Sequence, residues 1–461
     1  MADAISTALR ALEAAGAQFG DLRMETRDAF TVRMANRQVE SVGRMHRSGW
    51  GVRAFVGGAW GYASGTSTKA ADLVAAAKRA TAIARANAAA GVTKTSLRGV
   101  PDGRKTHKPD CRIPPGDISG EEKVALATEL DKALGGEGIA STTAFYNESD
   151  IRSKLANMAG ARIAWREVRL RLFGQAIAQE GDRQEMAFDG RDASAGWEFI
   201  KAMDPVAFGH ELRKEAMERL RAVKPPAGLQ TVILDPDASG LLAHEVMGHA
   251  SDGDEIVKRR SFLSSAVGKR VGTDLVTMYD DGTFPHGHGT IAVDSEGSPA
   301  RKTRIIDRGI YKGYMQSLET AGALRTRPTG NGRAQDFGRR VWVRMTNTYF
   351  APGRDTKDAI IEDTKDGVLT KGWISGMEDI VGGGFQAVTQ SGFLVKDGEI
   401  TDRVRGMTLT GKALSILKSV DRVSKDLVLS GGTCGKGEAD DFVPVGAGGP
   451  YMRAKVVVGG G

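Results

Sequence analysis

Apolar and polar positions alternate with period two through residues 21–64. The runs LRMETR, FTVRMAN, QVESVG, GWGVRAFV and AWGYAS each place one apolar set on one face, with short turns such as VGGAW between them. The alternation predicts an antiparallel meander. Helical periodicity precedes it at residues 4–17 and follows it in TKAADLVAAAKRATAIARANAAA, which opens on a Ser/Thr cluster able to supply a cap. Residues 98–118 carry prolines, charges and Cys111 and read as a loop. SGEEKVALATELDKALG is a second long helix, strands resume around 142–190, and DPVAFGHELRKEAMERLRAV is helical again. KPPAG, residues 224–228, interrupts both periodicities and marks a boundary. Beyond it lie short strands and glycine turns: TVILD, TRIIDRGIYKGYM, VWVRMTNTYF and FLVKDGEI. The fold class expected is α+β. Residues 1–223 form an α/β domain with the meander and long helices. Residues 224–461 form a mainly antiparallel, barrel-like β domain with a few helices.

Length agrees, because 461 residues exceed what one ordinary core supports. Sixty glycines lie among apolar runs and point to tight turns rather than disorder. No apolar run reaches the roughly 20 residues needed to span a bilayer, and the opening helix carries acidic residues where a secretion signal would be basic. The expected setting is cytoplasmic, with no membrane contact. Two cysteines, Cys111 and Cys434, are far apart and do not suggest a disulfide framework. A net charge of +7 is dilute over this length, and no basic run tracks phosphates, so no nucleic-acid contact is expected.

The chemistry concentrates in TVILDPDASGLLAHEVMGH, residues 231–249, a strand leading into a helix that Asp235 caps and Pro236 opens. His244, Glu245 and His249 offer two imidazole ligands and a carboxylate able to take a proton from a metal-bound water. The usual spacing for such a pair is four. At about 100° per residue, positions four apart differ by about 40° around a helix, and positions five apart by about 140°. The spacing of five therefore predicts a distortion, a π-type turn or an early helix end, centred on Gly248. Two histidines do not complete a site. The third ligand is open among Asp252, Asp254, Glu255, the pair His286 and His288, and distant Cys434 in its glycine-rich surroundings. GGTCGKG is not a phosphate loop, because Gly437 stands where Ser or Thr is required after the lysine.

Several separated motifs resemble, in order and nearly end to end, the TldD subunit of the TldD/PmbA (TldE) metalloproteases. They are SGWGVRAFVGGAWGYAS, HEVMGH, YDDGTFPHGHGTIAVDSEG, TGNGRA, RMTNTYF, DGVLTKGWISG, SGFLVKDGEI and GTCGKG. The resemblance implies a zinc ion held by His244, His249 and Cys434, with Glu245 as catalytic acid and base. It further implies a dimer, with a PmbA/TldE-like partner or a second copy, and a channel in which an extended peptide adds to a strand. The same pattern places Asp254 where it could orient a ligand ring. Two departures stand out: EADDFVPV after GTCGKG adds Asp440 and Asp441, and HGHG adds His286 and His288, of which His288 could assist near the metal. The activity expected is zinc-dependent hydrolysis of unfolded or extended peptides, such as leader peptides of modified precursors or small flexible proteins. The alternatives are a zinc amide hydrolase acting on a small-molecule conjugate, and a non-enzymatic regulatory binding protein.

Overall fold

A computed structural model describes residues 2–91, 95–437 and 441–459. The five alternating runs near the start merge into three long strands, β1 Phe19–Ala35, β2 Gln38–Val56 and β3 Ala59–Gly65. They merge because β1 is paired along its length on both sides, so residues that interrupt the alternation stay extended. Asn36 and Arg37, both at positive φ, make the tight hairpin turn between β1 and β2. The stretch expected as a loop contains a short strand, β4 Arg104–His107. Then come β5 Ile139–Asn157, β6 Arg162–Glu180 and β7 Arg183–Ala193. The sheet runs β3-β2-β1-β5-β6, with β4 and β7 both on the far edge of β6.

One helix packs on this sheet through small residues. Ala76, Ala77, Ala80 and Ala84 of the helix Ala70–Ala89 are fully buried. They bring its backbone so close that a Cβ on Gly61 would lie 1.9 Å from the Ala80 carbonyl oxygen. Ser119 and Asp204 cap the next two long helices by accepting backbone N–H bonds.

After residue 227 the chain builds two β layers. Strands Asp366–Asp379, Gly228–Leu234, Met452–Gly459, Thr408–Lys412 and Gly384–Lys396 pair in that order, and the last pairs with the first, closing a five-stranded barrel. Beside it lies a six-stranded sheet whose order ends on Asn347–Phe350, Phe442–Gly449 and, at the edge, Val428–Gly435. The helical segment Pro236–Gly248 runs between them. Leu241, Leu242, Ala243, Val246 and Met247 are all buried in one core, each worth roughly 1.5–3 kcal/mol for the larger side chains. Such a helix, apolar almost all round, belongs inside a fold. No helix among the described residues is long and apolar enough to cross a membrane.

Gly240 sets how closely this segment approaches the sheet. A Cβ there would lie 2.5 Å from the Gly448 amide nitrogen and 2.6 Å from its Cα, and backbone cannot move aside as a side chain can. Gly240→Ala is therefore expected to cost about 1–3 kcal/mol of stability, read as a lower denaturation midpoint. An unchanged midpoint would show that the helix can retreat freely.

Candidate metal centre

Asp235 fixes the start of the segment. Its carboxylate accepts from the Ala238 and Gly372 amides and from the Thr370 hydroxyl, tying helix to barrel. Six α-helical residues follow, and the backbone then widens into a π-helix over Leu242–Gly248. The His249 amide donates to the His244 carbonyl, five residues back. The extra residue per turn brings His249 back over His244, and the two rings stand edge to face with centroids 5.2 Å apart. Gly248 closes the widened turn where a Cβ would come 2.1 Å from the Met345 sulfur.

Cys434 arrives from the edge strand Val428–Gly435. Its Sγ is 3.5 Å from His249 Nε2, and ligand atoms of His244, His249 and Cys434 all lie within 4.8 Å of one another. All three side chains are largely buried. His244 Nδ1 faces the Thr348 hydroxyl at 3.2 Å. His249 Nδ1 faces an Asp252 carboxylate oxygen at 3.8 Å, which leaves Nε2 toward the thiol. Burial opposes charge on all three groups, but their proximity outweighs it. The Cys434 thiol is held well below its ordinary range by His249 and His244, and both imidazoles are raised, chiefly by Cys434. Two imidazoles and one sulfur, this cluster has a donor set that fits a catalytic metal site. A cation bound there would require all three groups to be deprotonated.

Glu245, one residue after the first histidine, places Oε2 3.8 Å from His249 Nε2 without being one of the three close donors. Glu378, on the barrel strand Asp366–Asp379, forms a second close group with Glu245 and His249. Burial raises the Glu378 carboxyl; His249 opposes that shift and Glu245 adds to it. A cleft lined by Asp237, Leu241, His244, Glu245, Trp373 and residues 430–433 opens beside the three donors.

Several residues singled out in the sequence lie elsewhere. Asp254 does not face a ligand ring; its carboxylate accepts from the Val343 amide at 2.8 Å and lies 3.4 Å from Lys436 Nζ. Asp252 stands against His249 instead, because the chain turns into the short helix Gly253–Val257 directly after it. Lys436 binds Asp252 at 2.6 Å and, with His249, holds it below the usual carboxylate range against the burial that would raise it. Glu255 pairs with Arg260. His288 is buried against Gly431, its carbonyl accepting from Arg169, but its ring is not among the clustered donors. Burial, then Arg169, Arg171 and Arg333, keep it neutral. His286 is exposed, 3.5 Å from Asp110. Asp441 is buried 3.5 Å from Arg344, whose guanidinium also bonds the Cys434 carbonyl. Asp440 lies outside the described residues. Asp252 and Glu378 carry no sequence signal of their own: one is an acid among several, the other lies 133 residues beyond Glu245 (378 − 245).

The donor set is that of a metal site, and comparison with known proteins gives the class, a metalloprotease. Models of the PmbA/TldA metallopeptidases match residues 20–84 (domain 1), 113–222 (central domain) and 227–460 (C-terminal domain). A metalloprotease of Methanothermobacter thermautotrophicus is 32% identical over 445 residues, 96% of each chain. A zinc metalloprotease TldD homolog of Saccharolobus solfataricus is 33% identical over 251 residues, 54% of this chain and 56% of that one. The crystal structure of TldE from Thermococcus kodakarensis superposes with a TM-score of 0.78 at 17% identity, over 98% of this chain and 100% of that one. The chain belongs to the PmbA/TldD family of metallopeptidases.

Proposed function

We propose that the protein is a zinc-dependent peptidase acting on extended or unfolded peptides, with zinc held by His244, His249 and Cys434 and Glu245 as the acid–base group. The observation that carries this reading is the three donors within 4.8 Å of one another beside a cleft that Glu245 also lines. Bound there, zinc would supply Lewis acidity and an acidified water. The chain's own residues do the rest. Asp252 holds the His249 ring with Nε2 turned inward, and Thr348 does the same for His244. Glu245 stands where it can take a proton and return it to a leaving amine.

Substrate form follows from the edge strand. Val428–Gly435 pairs on one side with Phe442–Gly449 and ends its sheet, so its other edge offers backbone groups along the cleft wall. An extended peptide can add there as a strand, read mainly through its backbone. A folded protein cannot present such a segment, which selects leader peptides and small flexible chains. We further propose that the enzyme works as a dimer, with a PmbA/TldE-like partner or a second copy, and that its setting is cytoplasmic, where a thiol ligand stays reduced.

The test is a peptide-digestion mass map of an unstructured polypeptide. It is run with zinc, with zinc removed by chelation, and with and without a PmbA-like chain. Zinc-dependent shortening supports the reading. An intact polypeptide in every arm sinks it. A second test isolates Asp252: Asp252→Asn should weaken zinc affinity about 10–100-fold while leaving the fold intact. Unaltered affinity by competitive chelator titration would remove Asp252 from the site.

A further inference from the structure

A second, separate cavity lies between the two domains, away from the cleft. It is walled by β1, β5 and β6 on one side and by residues 291–295, 333–335 and 443–444 on the other. It offers about 50 Å³, enough for a few waters or one small oxyanion. Four arginines reach it: Arg23, Arg27, Arg169 and Arg333.

Their partners can be accounted for one by one. Arg27 lies 3.4 Å from Glu25, and Arg169 lies 3.0 Å from Glu167. Arg23 and Arg333 have no carboxylate within 4.0 Å among the described residues. Arg23 is 94% buried (6% exposed), donates to the Asp336 carbonyl at 2.5 Å, and leaves its Nε without a partner. Arg333 is 5% exposed and spends its two terminal nitrogens on the Met345 and Pro444 carbonyls. Burial, with Arg169 and Arg344, pushes it down to about 10 against the opposing influence of Glu167 and Asp280, neither of which contacts it. The remaining acid on the wall does not compensate. Burial and the adjacent Glu296 push Asp294 up to about 8, and its carboxyl oxygens are already taken by the Glu296, Ser298 and Gly332 amides.

Buried guanidinium groups without an anion are costly, and the planar fork matches oxyanions. We propose that this cavity is a binding site for one small oxyanion of the carboxylate or phosphate class, held by Arg23 and Arg333. The site is tied to the metal centre through the sheet. Arg333 bonds the Pro444 carbonyl, and Pro444 and Val443 pair with Thr433 and Cys434. An anion here neutralises charge beside the strand that pairs with the one carrying the thiol.

Calorimetric titration of the full chain with inorganic sulfate, at constant ionic strength, tests this. One saturable site is expected. Arg23→Met should weaken sulfate binding at least tenfold. Arg23→Lys, which keeps the charge and loses the fork, should fall between and carries the test if the methionine variant does not fold. Metal content should be unchanged in both. Absence of saturable binding in the wild type, or wild-type affinity in both variants, overturns the proposal. Two competition arms then distinguish the source. Displacement by a short peptide with a free C-terminal carboxylate, but not by its amide, assigns the anion to a chain end. Displacement by acetate and phosphate, but by neither peptide, assigns it to a free small anion.

Discussion

Glu245→Gln is expected to abolish peptide cleavage while leaving zinc in place. Glutamine keeps the size and one acceptor oxygen of glutamate but cannot take and return a proton. General acid–base transfer by a placed side chain contributes about 10²–10⁴-fold, and a loss of that order is expected in kcat. Metal content should not change, because Glu245 stands outside the trio of His244, His249 and Cys434. The substitution also leaves packing intact, since only the head of the side chain changes and the neighbouring Val246 and Met247 keep the segment buried. Cleavage rates and metal analysis on the same preparation give the answer. A variant with full activity removes Glu245 from the chemistry. A variant that loses zinc in parallel with activity makes Glu245 a ligand instead.

Much of this was legible in the sequence, and what was not has identifiable physical causes. The meander showed in its period of two, though five alternating runs became three strands, because pairing on both edges of β1 overrides local pattern. A distortion followed from the angular cost of a spacing of five, an argument that needs only helix geometry; of the two forms that argument left open, a π-type turn or an early helix end, the chain takes the first. The distortion spreads over Leu242–Gly248 rather than sitting at Gly248 alone, since each widened hydrogen bond requires the next to shift. Spacing alone left the third donor open among several residues; resemblance narrowed it to Cys434, 185 residues after His249 (434 − 249). Asp252 and Asp254 differ by two positions, and local sequence does not say which faces the ring. The turn after Asp252 decides it, and that turn is set by packing against Met315, Gln316, Thr320 and Val343. Glu378 comes from the barrel, where its place beside Glu245 depends on Gly376, whose missing Cβ leaves room for the Glu245 side chain. No local pattern marks such long-range closures.

Cys434→Ala is expected to lower zinc from a full complement to a small fraction of one per chain under conditions that keep the wild type loaded. The thiolate is the one anionic donor of the three, and the two imidazoles beside it favour its ionisation against the burial that opposes it. Without it, two neutral rings remain, a weaker pair that must complete the coordination from water or from Glu245 and Glu378. The fold should survive, because alanine removes only one buried sulfur from a strand whose ladder with Phe442–Gly449 is made by backbone groups. Circular dichroism should therefore match the wild type while metal content and cleavage fall together. The expected loss is several kcal/mol of binding, well beyond the 10–100-fold expected for Asp252→Asn, since a ligand is removed rather than an orienting group. Unchanged zinc stoichiometry in a folded Cys434→Ala protein would be incompatible with the proposed cage. It would shift the metal to the Glu245–His249–Glu378 group, turn Glu245 from proton carrier into ligand, and reverse the outcome expected for Glu245→Gln.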